Sequence, residues 1–171
     1  EAGSNARQRA ERKLRWPVPR VIVDVNSPTL AAAVDARRDL VCERLNAREL
    51  DVVGPDTGWD RLRYSAEADM SLLGPEFGSD AGRIVDALNG ASVTEPTVEA
   101  LETSVADATG LTVELDEEMV TFVTETPEAV TASAFEALDG EGVVYVDTSV
   151  TENIESEGYA REVIRRVQEM R

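Results

Sequence analysis

The chain has 171 residues, 42% of them hydrophobic, with 17 basic and 34 acidic side chains and a net charge of −17. That length and apolar share support a real core in one medium domain or two small ones, and apolar periodicity through the acidic parts makes low complexity and disorder poorer fits. A single cysteine excludes an internal disulfide framework, the lack of histidine leaves no ligand set for a structural zinc, and no apolar run is long enough to cross a membrane.

Ser4 can cap a helix over residues 5–15, whose thin apolar stripe of Ala6, Ala10 and Leu14 is surrounded by basic side chains. Pro17 disfavours helical geometry at Trp16, so this helix should stop there. The β-branched run Val21-Ile22-Val23-Asp24-Val25 reads as a strand. Ser27 and Pro28 are a cap and first-turn pair for a helix carrying Leu30, Val34, Val41 and Leu45 and ending near Asn46. Cys42 sits within it as a small buried hydrophobe. Leu50-Asp51-Val52-Val53 is a second strand closed by Gly54-Pro55, so residues 21–53 form a β-α-β unit.

Arg61-Leu62-Arg63-Tyr64-Ser65 reads as a strand, Gly74-Pro75 as a turn, and Ser79 as the cap of a helix ending near Asn89-Gly90. Residues 97–108 read as another helix. Residues 111–115, 119–123 and 129–133 are strand-like, and Ala134-Phe135-Glu136-Ala137 continues the last of these. Asp139-Gly140 fits a hairpin turn before Val143-Val144-Tyr145-Val146-Asp147. Thr151 then opens a final helical region. The order of elements predicts an α+β fold, with a mixed sheet built from β-α-β units and flanked by N- and C-terminal amphipathic helices. The expected division is a basic helix over 1–20, an α+β domain over 21–150 and a basic amphipathic helix over 151–171.

In that last helix Ala160, Val163, Ile164, Val167 and Met170 recur at helical spacing as one apolar stripe. Arg161, Arg165 and Gln168 form a separate stripe, and Glu162 and Arg166 are i, i+4 neighbours that can pair. The expectation is a helix that docks its apolar side and offers a guanidinium row on another. A solvated surface helix with local ion pairs is the plainer alternative.

The charge pattern carries two further readings. Lys13 is the only lysine, and an acidic chain nearly without lysine looks like a protein from a salt-loving archaeon, whose carboxylate surface stays hydrated in concentrated salt. An acidic interaction surface is the alternative. The charge is also unevenly placed: Arg7, Arg9, Arg12, Lys13, Arg15 and Arg20 crowd the first twenty residues, and from Tyr64 to Glu155 the only basic residue is Arg83. Arg161, Arg165, Arg166 and Arg171 then follow. If the two ends lie close in space, they form one electropositive face able to hold a phosphate backbone. The turn at Gly74–Gly78 lacks the Lys and Ser/Thr of a Walker loop. The run Asp116, Glu117 and Glu118 fits a solvated surface better than a metal or acid–base site.

Four ordered segments resemble one family. Asn5-Ala6-Arg7-Gln8-Arg9-Ala10 leads into Leu14-Arg15-Trp16-Pro17. It is followed by Leu45-Asn46-Ala47-Arg48-Glu49, by Leu73-Gly74-Pro75-Glu76-Phe77-Gly78, and by Glu157-Gly158-Tyr159-Ala160-Arg161-Glu162-Val163-Ile164-Arg165-Arg166. Together they resemble the C-terminal region of archaeal and eukaryotic-type isoleucyl-tRNA synthetases. Ser65-Ala66-Glu67 stands where that family usually has Lys-Pro-Asn, which removes its cue for a nucleic-acid contact there. The opening residue, Glu1, fits a piece of something larger.

The resemblance implies a class I enzyme that activates isoleucine with ATP and magnesium and attaches it to its tRNA in the cytoplasm. The family's His-containing motif and lysine-rich loop are missing, so this stretch is expected to be non-catalytic, without metal or cofactor of its own. Its expected partners are isoleucine tRNA and the remaining domains of a monomeric synthetase, with no membrane. The tRNA-contact candidates are Arg7, Arg9, Arg12, Arg15, Trp16, Arg161, Arg165 and Arg166, with Trp16 either stacking on a base or plugging the core. A structural brace without RNA contact and an unrelated acidic interaction module are the competing readings.

Overall fold

The computed structural model describes residues 1–11, 13–14, 16–55, 57–138 and 140–170. Arg12, Arg15, Arg171 and the Asp139 of the expected hairpin turn lie outside the described residues. The chain divides into two compact units: Glu1–Trp59 together with Glu128–Arg171, and Asp60–Pro127.

The first unit is built on a four-stranded mixed sheet in the order β2-β1-β6-β5. Its strands are β1 (Val18–Val25), β2 (Ala47–Val53), β5 (Val130–Ala137) and β6 (Gly140–Asp147). β1 pairs in parallel with β2, and antiparallel with β6. The parallel pair needs a crossover, supplied by α2 (Pro28–Asp35) and α3 (Arg38–Leu45). β1 is central and apolar on both faces. Val21, Val23 and Val25 point into a core with Ala6, Leu50, Val144 and Val146, while Ile22 is buried on the opposite face. There Trp59 and Tyr145, a strand neighbour of Ile22, bring their ring centroids within 5.1 Å. Across the β5–β6 hairpin Ala137 pairs with Gly140, whose φ of 149° and closeness to the Asn26 side chain leave no room for a Cβ.

Two helical expectations change here. The first helix is α1, Ala2–Arg9, with Glu1 rather than Ser4 at the N-cap position and no side-chain cap bond. It ends well before Trp16 because Glu11 turns through a positive φ of 55° and brings the following backbone back toward Arg7. The helix expected from Pro28 to Asn46 is two helices. Ser27 caps the first through the Leu30 amide at 3.4 Å, and Asn46 ends the second in the left-handed conformation. The break lets Arg38 reach both Asp35 and the carbonyl of Leu50.

The second unit packs α4 (Met70–Phe77), α5 (Ala81–Asn89) and α6 (Val98–Thr109) with the antiparallel pair β3 (Arg63–Ala68) and β4 (Val120–Glu125). Its core holds Leu73, Ile84, Leu88, Leu101, Val105, Val113, Leu115 and Met119. Gly74 and Pro75, expected as a turn, lie inside α4. Asp69 caps that helix through the Ser71 amide at 2.8 Å, and the missing Pro75 N–H falls in the last full turn, before Gly78 ends it at φ 51°. Residues 111–115 keep the burial alternation of a strand, with Val113 and Leu115 inside, but join no ladder. The Leu115 amide instead donates to Glu102 at 2.7 Å.

Candidate nucleic-acid interface

Every candidate arginine belongs to the first unit, and its chemistry starts at the end of α3. Asn46 closes the helix in the left-handed conformation, which asparagine tolerates better than most residues, and its amide is held by distant partners. Its side-chain nitrogen donates to the Leu14 carbonyl at 3.2 Å, and its side-chain oxygen accepts from Arg161 at 3.0 Å. One residue earlier, the Leu45 carbonyl accepts from Arg7 at 2.7 Å. Two residues later, Arg48 pairs with Glu157, which also holds Arg161 at 2.6 Å. Residues 45–48 therefore tie the N-terminal segment to α7 (Glu152–Glu169). Three of the four segments behind the family resemblance meet at this joint. The fourth lies in the second unit.

The joint answers how the chain ends are arranged. α1 itself lies on β5 and β6: Thr131 donates to the Ala6 carbonyl at 2.8 Å, and Arg9 donates to the Ala132 carbonyl at 2.7 Å. α7 meets the segment after α1. Gly158 packs against the Trp16 ring, where an added Cβ would come within 2.6 Å of the indole, and Tyr159 meets the same ring edge-on at 5.5 Å. The half-buried Trp16 ring thus packs as a plug between the N-terminal segment and α7. Beside the plug an open groove of about 600 Å³ is lined by Leu14, Cys42, Glu43, Arg44, Asn46 and Arg161. Burial pushes the Cys42 thiol up, with Arg38 opposing, so the sulfur stays protonated at neutral pH.

The candidate arginines divide by what they already hold. Arg7 is only 1% exposed, and it donates to three main-chain carbonyls: Leu45, Lys13 at 2.7 Å and Trp16. This corrects the expectation that it meets phosphate, since a guanidinium inside the fold presents no cation to solvent. Arg9 is exposed beyond its bond to Ala132. Arg161 is half-committed to Asn46 and Glu157. Arg165 is gripped by Glu162 at 2.8 Å and by Glu169, and these partners push its pKa up, Glu162 first. Arg166 is exposed and makes no ion pair among the described residues. Arg12 and Arg15 fall outside the described residues. Sequence reasoning passed over Arg44, an exposed cation in the last turn of α3. Its only cue was a position two residues before the Asn46 that ends the helix.

The apolar stripe of α7 holds a second correction. It was expected to dock and the guanidinium row to face solvent. Among the described residues, α7 buries only Ile154 and Gly158, and reaches its neighbours through Glu157 and Arg161. Val163, Ile164, Val167 and Met170 face solvent. Arg161 leans on the chain, Arg165 pairs within α7, and the apolar side looks out.

Fold and joint together make the first unit an α+β domain stitched at residues 45–48. No family model matches the chain. Its relatives are isoleucine–tRNA ligases. The ligase of Haloarcula marismortui is 65% identical over 171 residues, all of this chain and 16% of that protein. Those of Natronomonas pharaonis and Methanosarcina mazei are 61% and 40% identical, again over the whole chain and 16% of each. The chain is thus related along its full length to a segment of these aminoacyl-tRNA synthetases and spans about a sixth of their length. The resemblance first carried by four short segments extends to every element, and the match to ligases of halophilic archaea fits the acidic composition.

Proposed function

We propose that this chain is a non-catalytic, tRNA-side segment of an isoleucine–tRNA ligase, the enzyme that joins isoleucine to its tRNA at the expense of ATP. The relatives' names support the ligase. The observation that supports tRNA contact is the gathering of exposed cations on the first unit of a chain that otherwise avoids them: Arg44 and Arg161 at the groove, with Arg9, Lys13 and Arg166 exposed nearby in sequence or on the same elements. A phosphate backbone is the partner that such guanidinium groups recognise. The groove residues would position the RNA backbone without reading its sequence. In the whole enzyme ATP and magnesium serve a catalytic domain outside this segment.

A specific observation favours a second reading, a brace within the same enzyme. Arg7, Arg161 and Arg165 are held by carbonyls and carboxylates of this chain, as they would be if their work were structural. The two readings separate in the full-length ligase. Arg44→Glu with Arg166→Glu touches neither the joint nor the core, so the fold is expected to survive. Loss of two phosphate contacts should raise the KM for tRNA several-fold, about tenfold in moderate salt, and leave adenylate formation unchanged. An unchanged KM in a folded variant leaves the brace as the better reading.

A further inference from the structure

The outward apolar face of α7 is the largest feature that the tRNA reading leaves unused. Tyr159, Val163, Ile164, Val167 and Met170 are 58%, 60%, 56%, 47% and 79% exposed, and they follow one another along one helix face. At about 100° per residue, this stripe lies roughly opposite the side that carries Ile154, Gly158 and Arg161. A single exposed leucine on a protein surface is ordinary, whereas five large apolar side chains in a continuous row mark a contact. The salt for which so acidic a chain is suited strengthens apolar association and makes an open stripe harder to keep in solution.

We infer that this face is covered by an apolar helical surface from another part of the same polypeptide. The inference rests on the reading that the chain is a segment of a longer ligase, and not on tRNA contact. Its relatives carry over 80% of their length outside the matched segment, so further protein surface is tethered to α7 at high effective concentration. A second copy is disfavoured because it lacks that tether and, being the same acidic chain, brings no complementary charge. RNA is disfavoured because a row of valine, isoleucine and methionine offers no donor to a phosphate. Helix-to-helix packing suits the row, since Tyr159, Val163, Val167 and Met170 are spaced by 4, 4 and 3 residues, the ridge spacing that two helices interlock.

The test uses the full-length ligase without tRNA, in molar KCl, carrying Val163→Cys or Val167→Cys. Maleimide labelling of that site is followed by peptide mass spectrometry and compared with the same variant unfolded in urea. Labelling at least about tenfold slower in the native enzyme, and unchanged on dilution, is the expected result. Equal native and unfolded rates overturn the inference. So does protection that fades on dilution, which assigns the face to a second copy, or protection that needs added tRNA, which assigns it to RNA. If the variants do not fold, hydrogen exchange of the wild-type ligase decides. Amides of residues 163–168 should be protected like those of β1, and complete exchange there while β1 stays protected overturns the inference. Arg166 is an i, i+3 and i, i+4 neighbour of Val163 and Met170, so the independent KM test is Arg44→Glu alone, on α3, and either proposal can then fail alone.

Discussion

Arg7 shows how little residue type says about placement. In the sequence it is one cation in a basic run, beside Arg9 and Arg12. In the fold it is a buried clasp whose guanidinium closes the joint between residues 45–48 and the N-terminal segment. The partner at Leu45 is 38 residues away, and no local pattern reports that distance. Removing the side chain strands the carbonyls of Leu45 and Trp16, each worth about 1–3 kcal/mol when left unpaired in the interior, while the Lys13 carbonyl keeps the Trp16 amide. Arg7→Met should therefore cost about 3 kcal/mol or more, and Arg7→Lys should not rescue it, because one ammonium cannot reproduce the planar fork. Denaturant unfolding in molar KCl reads both, and a wild-type midpoint for Arg7→Lys would show that charge alone matters. Asp24 offers a test with a defined sign. Burial pushes its carboxyl up, and a hydrogen bond from the Trp59 main chain only partly offsets this. The folded state therefore prefers the protonated form. That contribution is complete below the unfolded carboxyl's pKa and is lost as pH rises through the folded one. Asp24→Asn should melt above wild type at pH 7 and match it at a pH below the ordinary aspartate range. A variant that melts lower at pH 7 would mean that the carboxylate is worth more to Trp59 than its desolvation costs.

At the scale of elements, periodicity was legible and partnership was not. The β-branched run of β1, the Ser27 cap, the helical start at Thr151 and the helix over 97–108 are local chemistry, and sequence reasoning located them within a few residues, although the Thr97 cap and the left-handed Gly110 that bound α6 were not read. The alternation at residues 111–115 was also real, but burial alone made it, with no strand beside it. Pro75 misled because proline marks a turn only where the chain has somewhere else to go, and here Asp69 and Gly78 fix both ends of α4. For α7 the period was right and the docking side was reversed, because a glycine and a tryptophan make the contact instead of the apolar stripe. That contact can be tested through its sign. Glycine within a helix normally costs about 1 kcal/mol against alanine. At Gly158, however, an added Cβ overlaps the Trp16 ring, and overpacking costs about 1–3 kcal/mol. Gly158→Ala alone should destabilise and speed hydrogen exchange in α7, whereas in a Trp16→Leu background the same change should stabilise. Identical effects in both backgrounds would show that Trp16 does not hold the helix.

For the whole molecule the decisive quantity is where the charge lies. The unit Asp60–Pro127 carries 15 acidic and 3 basic residues, a net of −12 in 68 residues, while the other unit carries 19 and 14, a net of −5. The sequence already displayed this gap in basic residues, but the chain order hid its meaning, since residues 128–171 return to the unit formed by residues 1–59. Like charges at that density oppose folding most when little salt screens them, and the screening length shrinks from about 30 Å at 0.01 M to about 3 Å at 1 M. Helix dipoles give little relief in the second unit, where α5 and α6 have no basic side chain in their last turns. The first unit, by contrast, spreads ion pairs through its joint and its sheet edge, as between Arg20 and Glu49 at 2.9 Å. Stability should therefore rise with KCl in both units but more steeply in the second. Hydrogen exchange across a KCl series reads each unit separately. The amides of Ile84, Leu88, Leu101 and Val105 should lose protection at higher salt than those of Val21, Val23 and Val146. Parallel loss in the two sets would mean that they unfold as one cooperative body, and a profile flat in salt would remove the halophilic reading of the composition. Replacing Asp116, Glu117 and Glu118 with their amides should flatten the salt dependence of the second set alone, because it removes three exposed charges without touching a core side chain.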